Sequence, residues 1–139
     1  METSIVLESL RGLGPFAIYV GLSLGLMAIF LALYQFATIH NELALIRANN
    51  VSAAIAFAGA VVGYCLALVA AATNARALGE FLIWGVIAII VQILVYWFFR
   101  ALMMPDVSAR IERGEIATGI VVGASSIVAG LIVSGAMAI

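Results

Sequence analysis

Lysine is absent from the 139-residue sequence, and charged residues of all kinds make up only 9% of it. The six arginines are outnumbered by seven acidic residues, which leaves a net charge of −1 and no basic field for a nucleic-acid backbone. Nucleic acid is therefore excluded as a partner. Hydrophobic residues make up 66% of the chain, whereas soluble domains are about half apolar and a quarter charged. This composition predicts a protein whose main solvent is the lipid bilayer.

Cysteine and histidine occur once each, as Cys65 inside an apolar run and His40 outside one. They form neither a disulfide nor a Cys/His metal cage within one chain, so no cofactor or metal is expected. Cys65 is interpreted as a packing residue. The one mixed titratable cluster is His40, Glu42 and Arg47, and residues two apart do not meet on a helix face. Because catalysis needs acid and base within hydrogen-bond reach, the chain is not expected to be an enzyme.

Four uncharged runs are long enough for a helix to cross a bilayer, which takes about 20 apolar residues. Continuously apolar runs favour helices over membrane strands, in which apolar residues alternate. The first run is too long for a signal peptide and Glu2 and Glu8 outnumber Arg11 before it, so we expect it to be retained. The sequence predicts an all-α integral membrane protein, one domain over residues 1–139, with four transmembrane helices at 16–39, 51–72, 81–99 and 116–139.

Arginine placement predicts the orientation of these spans. Four of the six arginines lie in the first and third connecting segments, which are therefore predicted to be cytoplasmic, with both termini on the other side of the membrane. Five aromatic residues toward the span ends are interpreted as anchors at the membrane interface: Tyr19, Tyr34, Trp84, Tyr96 and Trp97.

An offset of 65 residues aligns the two halves of the chain without a gap. At this offset Ala54-x-x-x-Ala58 falls on Gly119-x-x-x-Gly123, and each pattern follows a short charged stretch. The predicted repeat units are residues 11–73 and 76–138. Because each unit crosses the membrane twice, both have the same orientation, which makes this a parallel repeat.

Small residues spaced four apart let transmembrane backbones approach closely. The first interpretation is packing within one chain. The alternative is that at least one small-residue face is left for a second copy, because four helices alone do not enclose a wide pore. The residues concerned are Gly21, Gly25, Ala54, Ala58, Gly59, Gly63, Gly119 and Gly123.

Three segments carry a family resemblance: Arg47-Ala-Asn-Asn-Val-Ser-Ala-Ala-Ile-Ala, Trp84-Gly85 followed by Gln92, and Ile111-Glu112 leading into Ile116-Ala-Thr-Gly and Ala129-Gly-Leu-Ile. In these segments the sequence resembles DUF350, or UPF0719, a family of tandem-repeat bacterial inner-membrane proteins. The resemblance implies four spans in two copies and a location in the bacterial inner membrane. It implies no activity. The second copy has Glu115 and Thr118 where the family pattern has Asn and Ala.

Gln92 lies near the middle of the third predicted span, where its amide must find a partner or remain unsatisfied at a cost of several kcal/mol. It is interpreted as an interhelical hydrogen-bonding residue, with the lining of a solute path as the alternative. Ser125 and Ser126 in the fourth span are candidate partners, although a serine also bonds the carbonyl of its own preceding turn.

Asn49, Asn50 and Glu115 precede the second and fourth spans, where Asn and acidic residues suit helix starts. Capping is the first interpretation, and a weak cation site formed by Asn50 and Glu115 at a common mouth is the alternative. Arg100 ends the third span and is expected to reach the lipid headgroups. An ion pair of Arg100 with Glu115 or Asp106 is the alternative.

These features predict a membrane subunit of unassigned activity that assembles with identical copies or with other membrane subunits. Its predicted cytoplasmic segments, residues 40–50 and 100–115, are expected to bind a cytoplasmic protein. The alternative is a small oligomeric channel or transporter for ions or small solutes. The scarcity of ionisable groups inside the spans argues against proton-coupled transport, because such groups usually mark proton paths.

Overall fold

The computed structural model describes residues 1–38 and 40–139. The described part of the chain folds into seven α-helices. They are α1 (Glu2–Arg11), α2 (Leu13–Ala37), α3 (Glu42–Arg47), α4 (Val51–Asn74), α5 (Leu78–Leu102), α6 (Val107–Glu112) and α7 (Ile116–Met137).

Four helical stretches are long and apolar enough to cross a membrane, which confirms the predicted all-α multi-pass architecture. The first runs without a break from Glu2 to Ala37, because Gly12 keeps helical backbone angles between α1 and α2. The third is three residues longer at each end than predicted, since Glu80 and Arg100 suit the first and last turns of α5 and do not interrupt it. Residue 39, the predicted end of the first span, lies outside the described residues.

Helices α4 and α7 form the centre of the bundle and run parallel, with their backbones in contact. A Cβ atom on Gly59 would overlap the backbone of Gly123, and one on Gly63 would overlap Ser126. A Cβ on Gly119 would overlap Ser52 in the same way. Because these glycines have no side chains, the two helices approach closely. Inside lipid the hydrophobic effect does not hold helices together, and the van der Waals contacts of this close packing stabilise the pair instead.

Helices α2 and α5 pack against this central pair largely through aromatic side chains. The ring of Phe30 stacks on Tyr64 with centroids 4.5 Å apart, and the Tyr64 hydroxyl donates to the carbonyl oxygen of Gly85 at 2.8 Å. Trp97 Nε1 donates to the carbonyl oxygen of Ala37 at 3.3 Å and so joins the end of α2 to α5. All the buried residues of α2 lie in its second half.

Four of the small residues singled out in the sequence lie outside the contact between α4 and α7. Gly21 and Gly25 are exposed on α2, and a Cβ on either would meet no atom within 4 Å. Ala58 is exposed and Ala54 is only half-buried, because α4 turns its flatter strip of Ser52, Ala56, Gly59 and Gly63 toward α7. The spacing of small residues in the sequence therefore predicts helix faces that allow close packing, but it does not predict which of these faces contact each other.

The helix bounds recur at the offset of 65 residues that aligns the two halves of the sequence. Helix α2 corresponds to α5 and α3 to α6 at both ends, and α4 corresponds to α7 at its start. Asn49, with φ 66°, and Gly114, with φ 78°, both have positive φ and are also separated by this offset. The internal repeat stays a prediction from the sequence. Two repeat units would have helix bounds that recur in this way.

Candidate functional site

The first and third connecting segments meet at one end of the bundle, which we call the loop end. Asn50 Nδ2 donates to the carbonyl oxygen of Ile111 at 2.8 Å, and Ser52 Oγ donates to that of Glu115 at 2.6 Å. These two bonds join the start of α4 to the turn between α6 and α7. Polar groups from both segments are thereby held together on one surface.

The polar residues before α4 and α7 have three different roles at the loop end. Asn50 caps α4, because its Oδ1 accepts from the backbone nitrogen of Ala53 at 3.0 Å. Asn49 takes the left-handed conformation that closes the preceding turn. Glu115 stands at the cap position of α7, but its side chain accepts no hydrogen bond from that helix. The side chain of Asn50 is thus used for capping α4 and for the bond to Ile111, whereas that of Glu115 caps no helix.

Charged side chains at the loop end form a small exposed network. Arg110 Nε lies 3.0 Å from Asp106 Oδ2, and this guanidinium holds the pKa of the Asp106 carboxyl below its usual range. Glu115 Oε2 lies 3.7 Å from Arg113 Nη2 and 4.0 Å from Arg110 Nη1. Among the described residues Arg100 pairs with neither acid and lies half-buried at the end of α5.

Gln92 is 5% exposed, and neither atom of its side-chain amide has a hydrogen-bond partner among the described residues. The amide lies against α4, since a Cβ on Gly63 would be 3.1 Å from Gln92 Nε2. Ser125 Oγ donates to the carbonyl oxygen of Val122 at 2.7 Å, so it bonds its own preceding turn. Ser126 is buried at the contact with Gly63. Gln92 therefore presents an unsatisfied polar group inside the membrane-spanning part of the bundle.

A second buried polar group lies at the loop end of the bundle and was not predicted. It consists of Tyr34, His40, Glu42, Tyr96 and Ser108, all buried, and we call it the loop-end cluster. His40 Nδ1 lies 3.0 Å from Ser108 Oγ, and His40 Nε2 lies 3.5 Å from Glu42 Oε1. The exposed fractions of His40 and Glu42 are 1% and 0%. An acid and a base are thus enclosed together by residues from α2, α3, α5 and α6.

His40 and Glu42 meet because they do not lie on one helix. Helix α3 begins at Glu42, and the extended backbone of Asn41 precedes it. Asn41 Oδ1 accepts from the backbone nitrogen of Ala44 at 3.2 Å and fixes this helix start. The prediction that residues two apart would stay separate assumed a continuous helix and is wrong.

Among the residues that the structure describes, three oxygen atoms of the loop-end cluster have no hydrogen-bond partner: Glu42 Oε2 and the hydroxyls of Tyr34 and Tyr96. The two tyrosine rings meet edge to face with centroids 5.6 Å apart, and the charge of Glu42 acts on both phenols. Ser108 lies beside the Tyr96 hydroxyl without forming a bond of good geometry. Tyr34 and Tyr96 were predicted to be interfacial anchors, yet both rings point into the bundle.

Burial gives Glu42 an unusual affinity for a proton. Loss of solvation raises the pKa of its carboxyl above the ordinary value of 4.5, and the hydrogen bond and charge of His40 offset part of this effect. The folded protein therefore keeps a proton on this carboxyl at pH values at which an exposed glutamate has lost it. Chemically, the cluster is suited to taking up and releasing protons.

The described residues do not favour a metal site or a role for the cysteine in packing. Within residues 1–38 and 40–139, no three His, Cys, Asp or Glu side chains are grouped closely enough to hold a metal ion. Cys65, interpreted from the sequence as a packing residue, is exposed on the outer face of α4. Its neighbour Tyr64 occupies the core position instead.

Comparison with known proteins identifies the family. The family described as "Domain of Unknown Function (DUF350)" matches residues 8–137. This chain belongs to the DUF350 family. It is 36% identical over 126 residues to the "UPF0719 inner membrane protein YjfL" of Escherichia coli strain K12, which covers 91% of this chain and 92% of the relative. The protein of the same name from Escherichia coli O157:H7 matches with the same identity and coverage, and no solved structure matches.

Proposed function

We propose that this protein is a subunit of the bacterial inner membrane that works as an assembly of identical copies. The observation that carries this proposal is the first membrane helix, from Glu2 to Ala37. Only 11% of its most apolar window is buried within the chain, whereas the windows of the other three spans are 33–50% buried. The location in the inner membrane is supported by the name of the relative.

The open face of α2 has the composition that brings membrane helices together. Six exposed residues recur at alternating spacings of four and three, which is the spacing of a coiled-coil seam. Five of them are glycine or alanine: Gly14, Ile18, Gly21, Gly25, Ala28 and Ala32. In the same chain, the small faces of α4 and α7 pack with their backbones in contact. We therefore assign the open face of α2 to the α2 helix of a second copy.

Native mass spectrometry in a mild detergent tests the assembly, with Gly25→Leu as the disruptive variant. Within the described chain Gly25 is exposed and a Cβ atom there meets no atom within 4 Å, so the fold is expected to tolerate leucine. Between copies, leucine keeps the two backbones apart. We expect oligomers from the wild-type protein and at least a tenfold weaker association in the variant.

Gly135→Leu is the matched control, because Gly135 is also exposed with no atom within 4 Å of a Cβ. It is expected to assemble like the wild type. A wild-type protein that stays monomeric at all concentrations would contradict the proposal. Equal assembly of the Gly25→Leu variant and the control would show that α2 is not the interface.

A path for ions or small solutes is a second candidate function, favoured by the unpartnered amide of Gln92. If this amide lines a path, Gln92→Leu should abolish potassium efflux from liposomes while the stability changes by less than about 1 kcal/mol. If the amide holds helices together, stability or assembly should fall first. A stable Gln92→Leu protein that still conducts would exclude both roles.

The loop end is proposed to face the cytoplasm and to be available to a cytoplasmic protein through residues 40–50 and 100–115. Supporting this, four of the six arginines lie at or beside this end, as expected for cytoplasmic segments. Co-purification of a soluble protein with the wild type, and its loss when Arg47 and Arg113 are both changed to glutamate, would support this role. Both side chains are exposed, so the change is expected to leave the fold intact.

A further inference from the structure

We propose that the loop-end cluster is a proton-binding site, in which His40 and Glu42 share one proton taken up from water at the loop end. The proton resides on one of the two groups, and His40 Nε2 and Glu42 Oε1, which lie 3.5 Å apart, face each other as donor and acceptor. Ser108 orients the imidazole through its other nitrogen, at 3.0 Å. No covalent bond between heavy atoms forms or breaks.

Burial is the first argument for this site. His40 and Glu42 are almost completely enclosed, and an enclosed carboxylate without a compensating positive charge is costly. One shared proton removes that charge, whether it resides on the acid or on the imidazole. Fully deprotonated, the pair would leave a buried negative charge, so proton uptake is coupled to the integrity of the loop end.

The unpartnered oxygens are the second argument. Glu42 Oε2 and the hydroxyls of Tyr34 and Tyr96 are buried polar atoms that have no partner within residues 1–38 and 40–139. Groups of this kind usually bond to protein or ordered water, because an unmade bond costs about 1–3 kcal/mol. A water bonded to these oxygens would connect the carboxyl to the two phenols. A chain of hydrogen bonds from the phenols through this water to the carboxyl would let a proton reach the buried Glu42.

In the part of the chain that the structure describes, the neighbouring elements supply no other partner charge to the acid. Helix α2 contributes the phenol of Tyr34, and α6 contributes the hydroxyl of Ser108. Helix α5 contributes the phenol of Tyr96 and, at its end, the Arg100 guanidinium, whose charge reaches Tyr96. A metal ion fits less well than a proton, since the cluster offers one carboxylate and one imidazole.

Nitrogen-15 NMR of the histidine side chain tests the site, because His40 is the only histidine in the chain. The protein, labelled only at histidine and embedded in lipid nanodiscs, is titrated from about pH 5 to pH 9, which spans the ordinary histidine range. In Glu42→Gln we expect the midpoint of the imidazole titration to move at least one unit lower, which is a tenfold loss of proton affinity. Glu42→Asp, which keeps the carboxylate, should restore most of the shift.

Glu112→Gln is the control, since Glu112 is an exposed acid at the same end of the bundle. It should leave the titration within about 0.2 units of the wild type, a small shift on the scale of pKa changes in proteins. Equal titrations of the wild type and Glu42→Gln would overturn the proposal, as would a wild-type midpoint that follows sodium concentration and not Glu42. If Glu42→Gln does not fold, Ser108→Ala replaces it. An unchanged Nδ1 signal in that variant would equally overturn the site.

Discussion

At the scale of single residues, the buried Glu42 carboxyl should make the stability of the protein depend on pH. Because burial raises its pKa in the folded state, the folded protein binds more protons than the unfolded chain above pH 4.5. The stability that Glu42 contributes is present at low pH and is lost as the pH rises from about 4.5 through the folded value. Glu42→Gln, which does not titrate, should remove this slope.

Thermal unfolding in detergent at a series of pH values upward from about 4.5 measures how stability changes with pH. The proteins compared are the wild type, Glu42→Gln and the exposed control Glu112→Gln. The control should behave as the wild type does. If the wild type and Glu42→Gln have the same dependence of stability on pH, burial of this carboxyl has no energetic consequence.

Asn50 provides a second prediction at this scale. Its side chain caps α4 and also bonds Ile111 on the other segment, so Asn50→Ala should cost about 1–2 kcal/mol, as the loss of a helix cap does. Asn49→Gly is the matched control. Since Asn49 has φ 66°, glycine there should be neutral or slightly stabilising. A chemical-denaturation series in detergent compares the two, and equal stabilities would exclude the capping role.

The sequence predicts the polar residues near the helix starts but not the loop-end cluster. Residues two apart do not meet on a continuous helix, whereas the helix start at Glu42 brings His40 and Glu42 together. Tyr34 and Tyr96 are near span ends, where aromatic anchors are common, and only packing decides whether such a ring points to lipid or into the bundle. The one signal in the sequence was the presence of an acid and the only histidine in the same short segment.

At the scale of helices, the contact between α4 and α7 depends on glycine. In Gly59→Ala the new methyl group would overlap the backbone of Gly123, which no flexible side chain can relieve. We expect a loss of about 1–3 kcal/mol, the usual cost of overpacking, or a failure to fold. Unfolding in mixed micelles measures the change.

Gly135→Ala is the control for this substitution, because it lies on α7 with no atom within 4 Å of a Cβ. It should be neutral or stabilise the helix by up to about 1 kcal/mol through helix propensity. If Gly59→Ala proved as stable as Gly135→Ala, the two helices would not be packed as closely as described.

At the scale of the whole molecule, the fold places the first and third connecting segments together and the second at the opposite end. Asn74 and Glu80 at that opposite end share a small cavity with Met137 near the carboxyl terminus. In a Cys65→Ala background, single cysteines at Ala48→Cys and Glu112→Cys should react from the same side of the membrane. A cysteine at Ala77→Cys should react from the other side.

A membrane-impermeant maleimide applied to intact spheroplasts makes this measurement, with lysed spheroplasts as the accessibility control. If only Ala77→Cys is labelled in intact spheroplasts, the first and third connecting segments face the cytoplasm, as the arginine placement predicts. The opposite labelling would reverse the orientation and leave the fold unchanged. Labelling of Ala48→Cys and Glu112→Cys from different sides would contradict the fold.

The sequence by itself determined that this is a four-span helical membrane protein and which apolar runs form the spans, but not the helix bounds. This follows because a bilayer requires about 20 apolar residues per helix and leaves charges in the connections, and both requirements are local. Only the tertiary structure decided that Gly59 packs on Gly123 while Gly25 stays open, and that His40, Glu42 and two tyrosines are enclosed together. Those facts depend on which helix faces meet, and that choice is made by packing between segments far apart in the chain.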